Sequence, residues 1–86
     1  KIKLLSSEAA CGVSTGNGSN FGLTSAVRLH NSGATARVVT VETSANVTIG
    51  TFTLGVGASE VVQKNPTDEV FAAHAEILGV GIAQIG

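Results

Sequence analysis

The sequence predicts an all-β fold: a small antiparallel β-sandwich or barrel-like module of about seven short strands. The 86 residues make one domain, 1–86. Three observations carry that expectation. Apolar and polar residues alternate in short runs, as side chains do along a strand. Val, Ala, Gly and Thr supply nearly half of the chain, whereas Trp, Tyr and Met are absent. Gly, Asn, Ser and Pro punctuate the runs at short intervals, where turns belong.

The stretch from Ser25 to Glu42, S-A-V-R-L-H-N-S-G-A-T-A-R-V-V-T-V-E, organises the rest. In its first half Val27 and Leu29 share one face and Arg28 and His30 the other, so a core side and a wet side follow. Asn31-Ser32-Gly33 between two β-rich runs predicts a hairpin, since Asn and Gly tolerate the positive φ of a tight turn.

Ahead of it, Ile2–Leu5 reads as an opening strand and Ala9–Val13 as a second short one. Cys11, the only cysteine, sits in that second segment among Ala, Gly and Val, where a thiol is a small buried hydrophobe. Ser14–Thr24, S-T-G-N-G-S-N-F-G-L-T, is a loop with Phe21 able to pin it to the body. Gly16, Asn17, Gly18 and Asn20 are its candidate exposed binding residues; a plain connector is the simpler reading. Its glycines follow no dinucleotide fingerprint, and no P-loop lysine follows them. Asn17-Gly18-Ser19 and Asn46-Val47-Thr48 match the glycosylation sequon, a pattern short enough to arise by chance.

After the Asn31-Ser32-Gly33 turn, Val39 and Val41 lie on one face of a strand and Val38 and Thr40 on the other. Ser44–Asn46 turns the chain. In N-V-T-I-G-T-F-T-L the apolar phase changes from Val47 and Ile49 to Phe52 and Leu54, and a β-bulge at Gly50 accounts for the change. Gly55-Val56-Gly57 turns again. Glu60–Lys64 reads as an edge strand, with charges at Glu60 and Lys64 flanking Val62 in phase. Asn65-Pro66-Thr67-Asp68 is a turn, because proline fixes φ and removes a donor. Val70–Ala75 restarts the β pattern, although its alanines also permit a helical turn. On the closing strand Leu78, Val80 and Ile82 share one face and leave Gly79 and Gly81 bare on the other. A bare face admits either a second subunit or a close crossing within the chain. Val62, Gly79, Gly81 and Ile82 are accordingly the candidate interface residues.

Composition narrows the function. The net charge of −1, from five basic and six acidic residues, gives no basic stripe for phosphates and no polybasic segment for lipids. Neither nucleic acid nor a membrane is therefore an expected partner. No apolar run approaches the ~20 residues of a membrane span. Lys1–Glu8 is too poor in apolar residues for a signal peptide as it stands. No catalytic, cofactor-binding or metal site is expected. The two histidines, His30 and His74, have no ligand spacing around them, and no nucleophile motif occurs. His74 and Glu76 share a face and read first as a surface pair. A chain of this length buries roughly 60–65% of its unfolded surface, and no disulfide is possible. A partner chain is the expected source of further stability.

Three runs carry a resemblance: V-R-L-H-N-S-G from Val27, G-T-F-T-L-G-V-G-A-S-E-V-V-Q-K-N-P-T-D-E-V from Gly50, and A-E-I-L-G-V-G-I-A from Ala75. They resemble small structural proteins of tailed bacteriophages, particularly marine and cyanobacterial ones. The Lys64–Asp68 turn is the most specific part, and the resemblance spans Ala26–Ala83. It implies a virion component, a capsid decoration or cement protein assembled in the host cytoplasm. Its expected partners are itself, as a homo-oligomer such as a trimer, and the major capsid protein or another virion lattice. No catalytic residue or cofactor is carried across. The Ser14–Thr24 loop matches none of these motifs. A protomer of an extracellular filament or tail tube is the alternative. A carbohydrate-binding module is disfavoured by the missing Trp and Tyr, the usual stacking platforms.

Overall fold

The computed structural model describes residues 1–84, the last without its side chain. Eight strands and no helix stand among them. In chain order these are β1 (Ile2–Leu4), β2 (Ala9–Ala10), β3 (Ala26–Asn31), β4 (Arg37–Glu42), β5 (Thr48–Leu54), β6 (Ser59–Gln63), β7 (Glu69–Ala72) and β8 (Ile77–Gln84). They form two sheets, one ordered β1-β8-β3-β6 with β2 also on β8, the other β5-β4-β7. All strand pairings within them are antiparallel. The all-β, sandwich-like expectation holds, with eight short strands.

Strand periodicity places the core between the sheets. Val27, Leu29 and Ile77 come from the larger sheet, Val39, Leu54, Val70 and Ala72 from the smaller, and Cys11 and Phe21 from the leading segment. Each fully buried Leu, Ile or Val contributes roughly 1.5–3 kcal/mol. Ala26, Val80 and Ile82 form a second buried cluster, with Val61 packed against it. Arg28 and His30 stay half-buried on the outer face, as their phase requires.

The expected hairpin at Asn31-Ser32-Gly33 does not form. β3 and β4 belong to different sheets, and the connection between them is a corner. Neither Asn31 nor Gly33 adopts a positive φ. Asn31 instead ends β3 fully buried, and its amide nitrogen donates to the carbonyls of Thr35 at 2.8 Å and Leu54 at 3.0 Å. Its Oδ1 accepts from Gly33 N at 2.9 Å. Leu54 closes β5, so this one side chain ties the end of one sheet to the other.

The bulge lies where the phase changes. Val41 pairs with Gly50 and Glu42 with Thr48, so the ladder skips Ile49 while β5 continues. Val47 and Ile49 do not join the core, however; they stand 61% and 57% exposed. The Gly55–Ala58 turn closes with Ala58 N donating to Gly55 O at 3.0 Å, and Gly57 has φ +71°. The Asn65–Asp68 turn closes twice, through Asp68 N to Asn65 O at 2.9 Å and Asn65 N to Asp68 Oδ2 at 3.0 Å. β7 is a strand, and the helical alternative for Val70–Ala75 is not taken.

Candidate functional site

The bare face of β8 is filled by the chain itself. Gly79 and Gly81 are buried on the inner side of the larger sheet. A Cβ at Gly79 would meet the Phe21 ring, and one at Gly81 would meet Thr24 Cγ2 and Phe21 O at 2.6 and 2.7 Å. Of the two readings open for this face, the crossing within the chain is the one present, and the glycines offer no surface to a second subunit. Ile82, on the opposite side of β8, is buried with Ala26 and Val80. Val62 lies on β6, which is indeed an edge strand, but its half-buried side chain packs on the core. What β6 can offer outward is backbone.

The Ser14–Thr24 segment divides in two. Gly16 and Asn17 are exposed, whereas Gly18 and Asn20 are half-buried. Ser19 exchanges backbone bonds with Val70 at 3.0 and 2.9 Å, and Ala72 N donates to Gly12 O at 2.9 Å. The segment thus flanks β7. Asn20 Oδ1 accepts from Gly22 N and Leu23 N, both at 3.1 Å, and shapes a tight turn. Phe21 and Leu23 take φ of +53° and +61° there, a left-handed region costly for bulky side chains. Burial of the Phe21 ring against Gly79 and Leu29 offsets that cost. Leu23, held the same way, points an apolar side chain to the surface.

The titratable groups serve as ties. Arg37 Nε donates to Glu76 Oε1 at 2.6 Å, while His74 Nδ1 accepts from Glu76 N at 3.1 Å. Glu76 therefore joins β4 to the turn before β8, and its carboxylate is occupied. Glu42 is fully buried at the end of β4, where Thr15 Oγ1 donates to it at 2.9 Å. Lys64 Nζ donates to the carbonyls of Thr24, Pro66 and Asn65 at 2.6, 3.2 and 3.3 Å. Desolvation lowers the Lys64 pKa, with the nearby Asp68 carboxylate opposing the shift. The K-N-P-T-D turn is thus a clasp that holds the Phe21–Thr24 turn over β8. Cys11 is buried, and desolvation pushes its thiol up to about 11, so it is not a nucleophile at neutral pH. Among the described residues no three His, Cys, Asp or Glu side chains come together as metal ligands.

The surface carries what periodicity did not foretell. Ile2, Leu4 and Leu5 line the β1 edge with Leu4 64% exposed. Leu5 N donates to Gly81 O at 2.8 Å, and Phe21 and Thr24 lie over Gly81, so exposed Leu5 and Leu23 belong to the same end of the sandwich. Val38 on β4, Val47 just before β5 and Ile49 on it are exposed as well; the register sets Val38 opposite Thr53, at the far end of the strand pair from Ile49. Sequence alone read Ile2–Leu5 as an ordinary strand and Val47 and Ile49 as part of an alternating run. Which sheet edge a strand occupies is a tertiary fact that no local pattern states. No protein-family model, curated protein or solved structure matches this chain.

Proposed function

We propose that this chain is a non-enzymatic structural protein that decorates a phage capsid, with the β1 edge as its seat on the shell. The observation that carries this reading is the apolar group Ile2, Leu4 and Leu5, joined at the same end of the sandwich by Leu23. Exposed apolar groups of this kind mark protein contact surfaces. Burying them on a repeating lattice contributes about 25 cal/mol per Å² of apolar area removed from water. Binding of that kind also stabilises a fold whose core side chains are mostly Val, Ala, Leu and Ile. The motif resemblance supports the same reading, and its most specific part, the Lys64–Asp68 turn, is bonded through Lys64 Nζ to the carbonyl of Thr24, the residue after Leu23. The test is co-pelleting of the purified chain with undecorated phage shells. Saturable pelleting that Leu4→Glu weakens at least tenfold is expected, and a chain left in the supernatant at every concentration refutes the seat.

A filament or tail-tube protomer is the second reading. It is favoured by exposed apolar side chains on both sheets, Leu4 on the larger and Ile49 on the smaller, since two unlike contacts made head to tail give open polymers. Polymerisation of the pure chain without any shell distinguishes it.

A further inference from the structure

A sandwich of two open sheets has four edges, and here three of them are guarded. β6 is only five residues long and carries Glu60, with Lys64 just beyond it. The β1 and β2 edge is broken between Leu4 and Ala9, where Gly81 N turns to Ser6 Oγ at 3.0 Å, and Lys1, Lys3 and Glu8 surround the break. β7 is flanked by the leading segment through bridges from Gly12 to Phe71 and from Ser19 to Val70. Charges, breaks and covering loops are the usual means of preventing stray strand pairing.

β5 has none of these along its outer run. It spans seven residues, T-I-G-T-F-T-L, and among the described residues it pairs with β4 alone. No charged residue occurs from Thr43 through Ser59, and no proline either. Its pairing with β4 is regular from Gly50 to Leu54, because the bulge falls at Ile49 and leaves that stretch straight. The unpaired N–H and C=O groups along it form a template for another strand.

We infer that the β5 edge pairs with the β5 edge of a second copy, antiparallel about a two-fold axis through Phe52, to make one continuous six-stranded sheet across the dimer. A second copy is the occupant the residues favour. A charged partner strand finds no opposite charge on this edge, whereas an identical strand meets no like charge. Centring the axis on Phe52 overlaps the whole regular stretch and leaves both bulges outside. It sets Phe52 opposite Phe52 and Thr51 opposite Thr53, and aromatic and Thr–Thr cross-strand pairs are favourable ones. Gly50, where an added Cβ would meet none of the described atoms within 4 Å, falls opposite Leu54 and has no side chain to obstruct it. Such an isologous contact closes on itself and gives a dimer, which leaves the β1 edge of each copy free. The pairing deepens the structural reading above and rests on it only for its biological use.

Sedimentation velocity in the absence of shells tests it. The wild-type chain is expected at twice the monomer mass, dissociating on dilution. Thr51→Lys, a change at an exposed position, is expected to weaken dimerisation at least tenfold with an unchanged circular dichroism spectrum. Gln63→Lys on the β6 edge is expected to leave the dimer intact. Mixed Thr51→Cys and Thr53→Cys chains should cross-link to each other under mild oxidation, and neither should cross-link alone. A wild-type monomer at all concentrations, a lysine at 51 without effect, or cross-links confined to like chains overturns the pairing. Shell pelleting by a chain that stays monomeric would sink the β5 contact and spare the β1 seat.

Discussion

A Cβ on Gly79 would lie 2.5 Å from Cζ and 2.7 Å from Cε1 of Phe21, so the ring occupies the space a side chain on β8 would need. The fit explains why a bulky residue tolerates φ +53° at position 21: the strained turn is held down by the burial of its own ring. Gly79→Ala is expected to cost about 1–3 kcal/mol through overpacking. Urea unfolding measures it. With Phe21→Leu in the background the alanine should cost less, and strictly additive effects would show that the ring and the glycine do not share this space.

Asn31 makes the second tie, between the sheets. Asn31→Ala removes a buried donor from the carbonyls of Thr35 and Leu54 and an acceptor from Gly33 N. The expected loss is about 2–4 kcal/mol, since buried groups left unpaired cost their full desolvation. Asn31→Asp should rescue little, because a carboxylate cannot donate to either carbonyl. A loss below about 0.5 kcal/mol, the range of an ordinary surface substitution, would contradict the role.

Asn31 also shows where sequence reasoning stopped. Strand existence was legible from alternation: Val27 and Leu29 face the core, and Arg28 and His30 do not. Turn chemistry at Gly55–Ala58 and Asn65–Asp68 was legible because backbone demands there are local. The corner was not, because Asn-Ser-Gly suits a hairpin and a side-chain-bonded bend equally well. Only the distant Leu54 carbonyl decides between them. The glycines of β8 pointed to a close approach but could not name the approaching group, which lies more than fifty residues earlier in the chain. The exposed apolar edges were hidden for the same reason, since strand order is set by pairings across the whole chain.

Thr24 Oγ1 is buried and finds no hydrogen-bond partner among the described residues, although the methyl group of the same side chain packs beside Gly81. Thr24→Val keeps the β-branched shape and removes the orphaned hydroxyl. A gain of about 1 kcal/mol in unfolding free energy is expected. An equal loss would mean that the hydroxyl has a partner in solution.

Cys11 gives the fold a dependence on alkaline pH whose sign follows from burial. Desolvation raises the thiol from its ordinary 9.0 to about 11 in the folded chain. Below pH 9.0 the thiol is protonated in both states and its contribution is fully present. Between 9.0 and about 11 the unfolded chain releases the proton and the folded chain keeps it, so unfolding is favoured as pH rises. The loss across that window is on the order of 2–3 kcal/mol. Lys64 acts in the opposite direction. Its pKa is lowered from 10.5 in the folded state, so its desolvation cost is relieved as pH rises through the folded value. The two effects overlap in any raw stability curve, and Cys11→Ala separates them because it leaves Lys64 and its three carbonyls in place. Urea titrations at pH about 8 and about 10.5 should show the wild-type advantage over Cys11→Ala shrinking by most of that amount. A constant advantage would mean that solvent reaches the thiol in the folded chain.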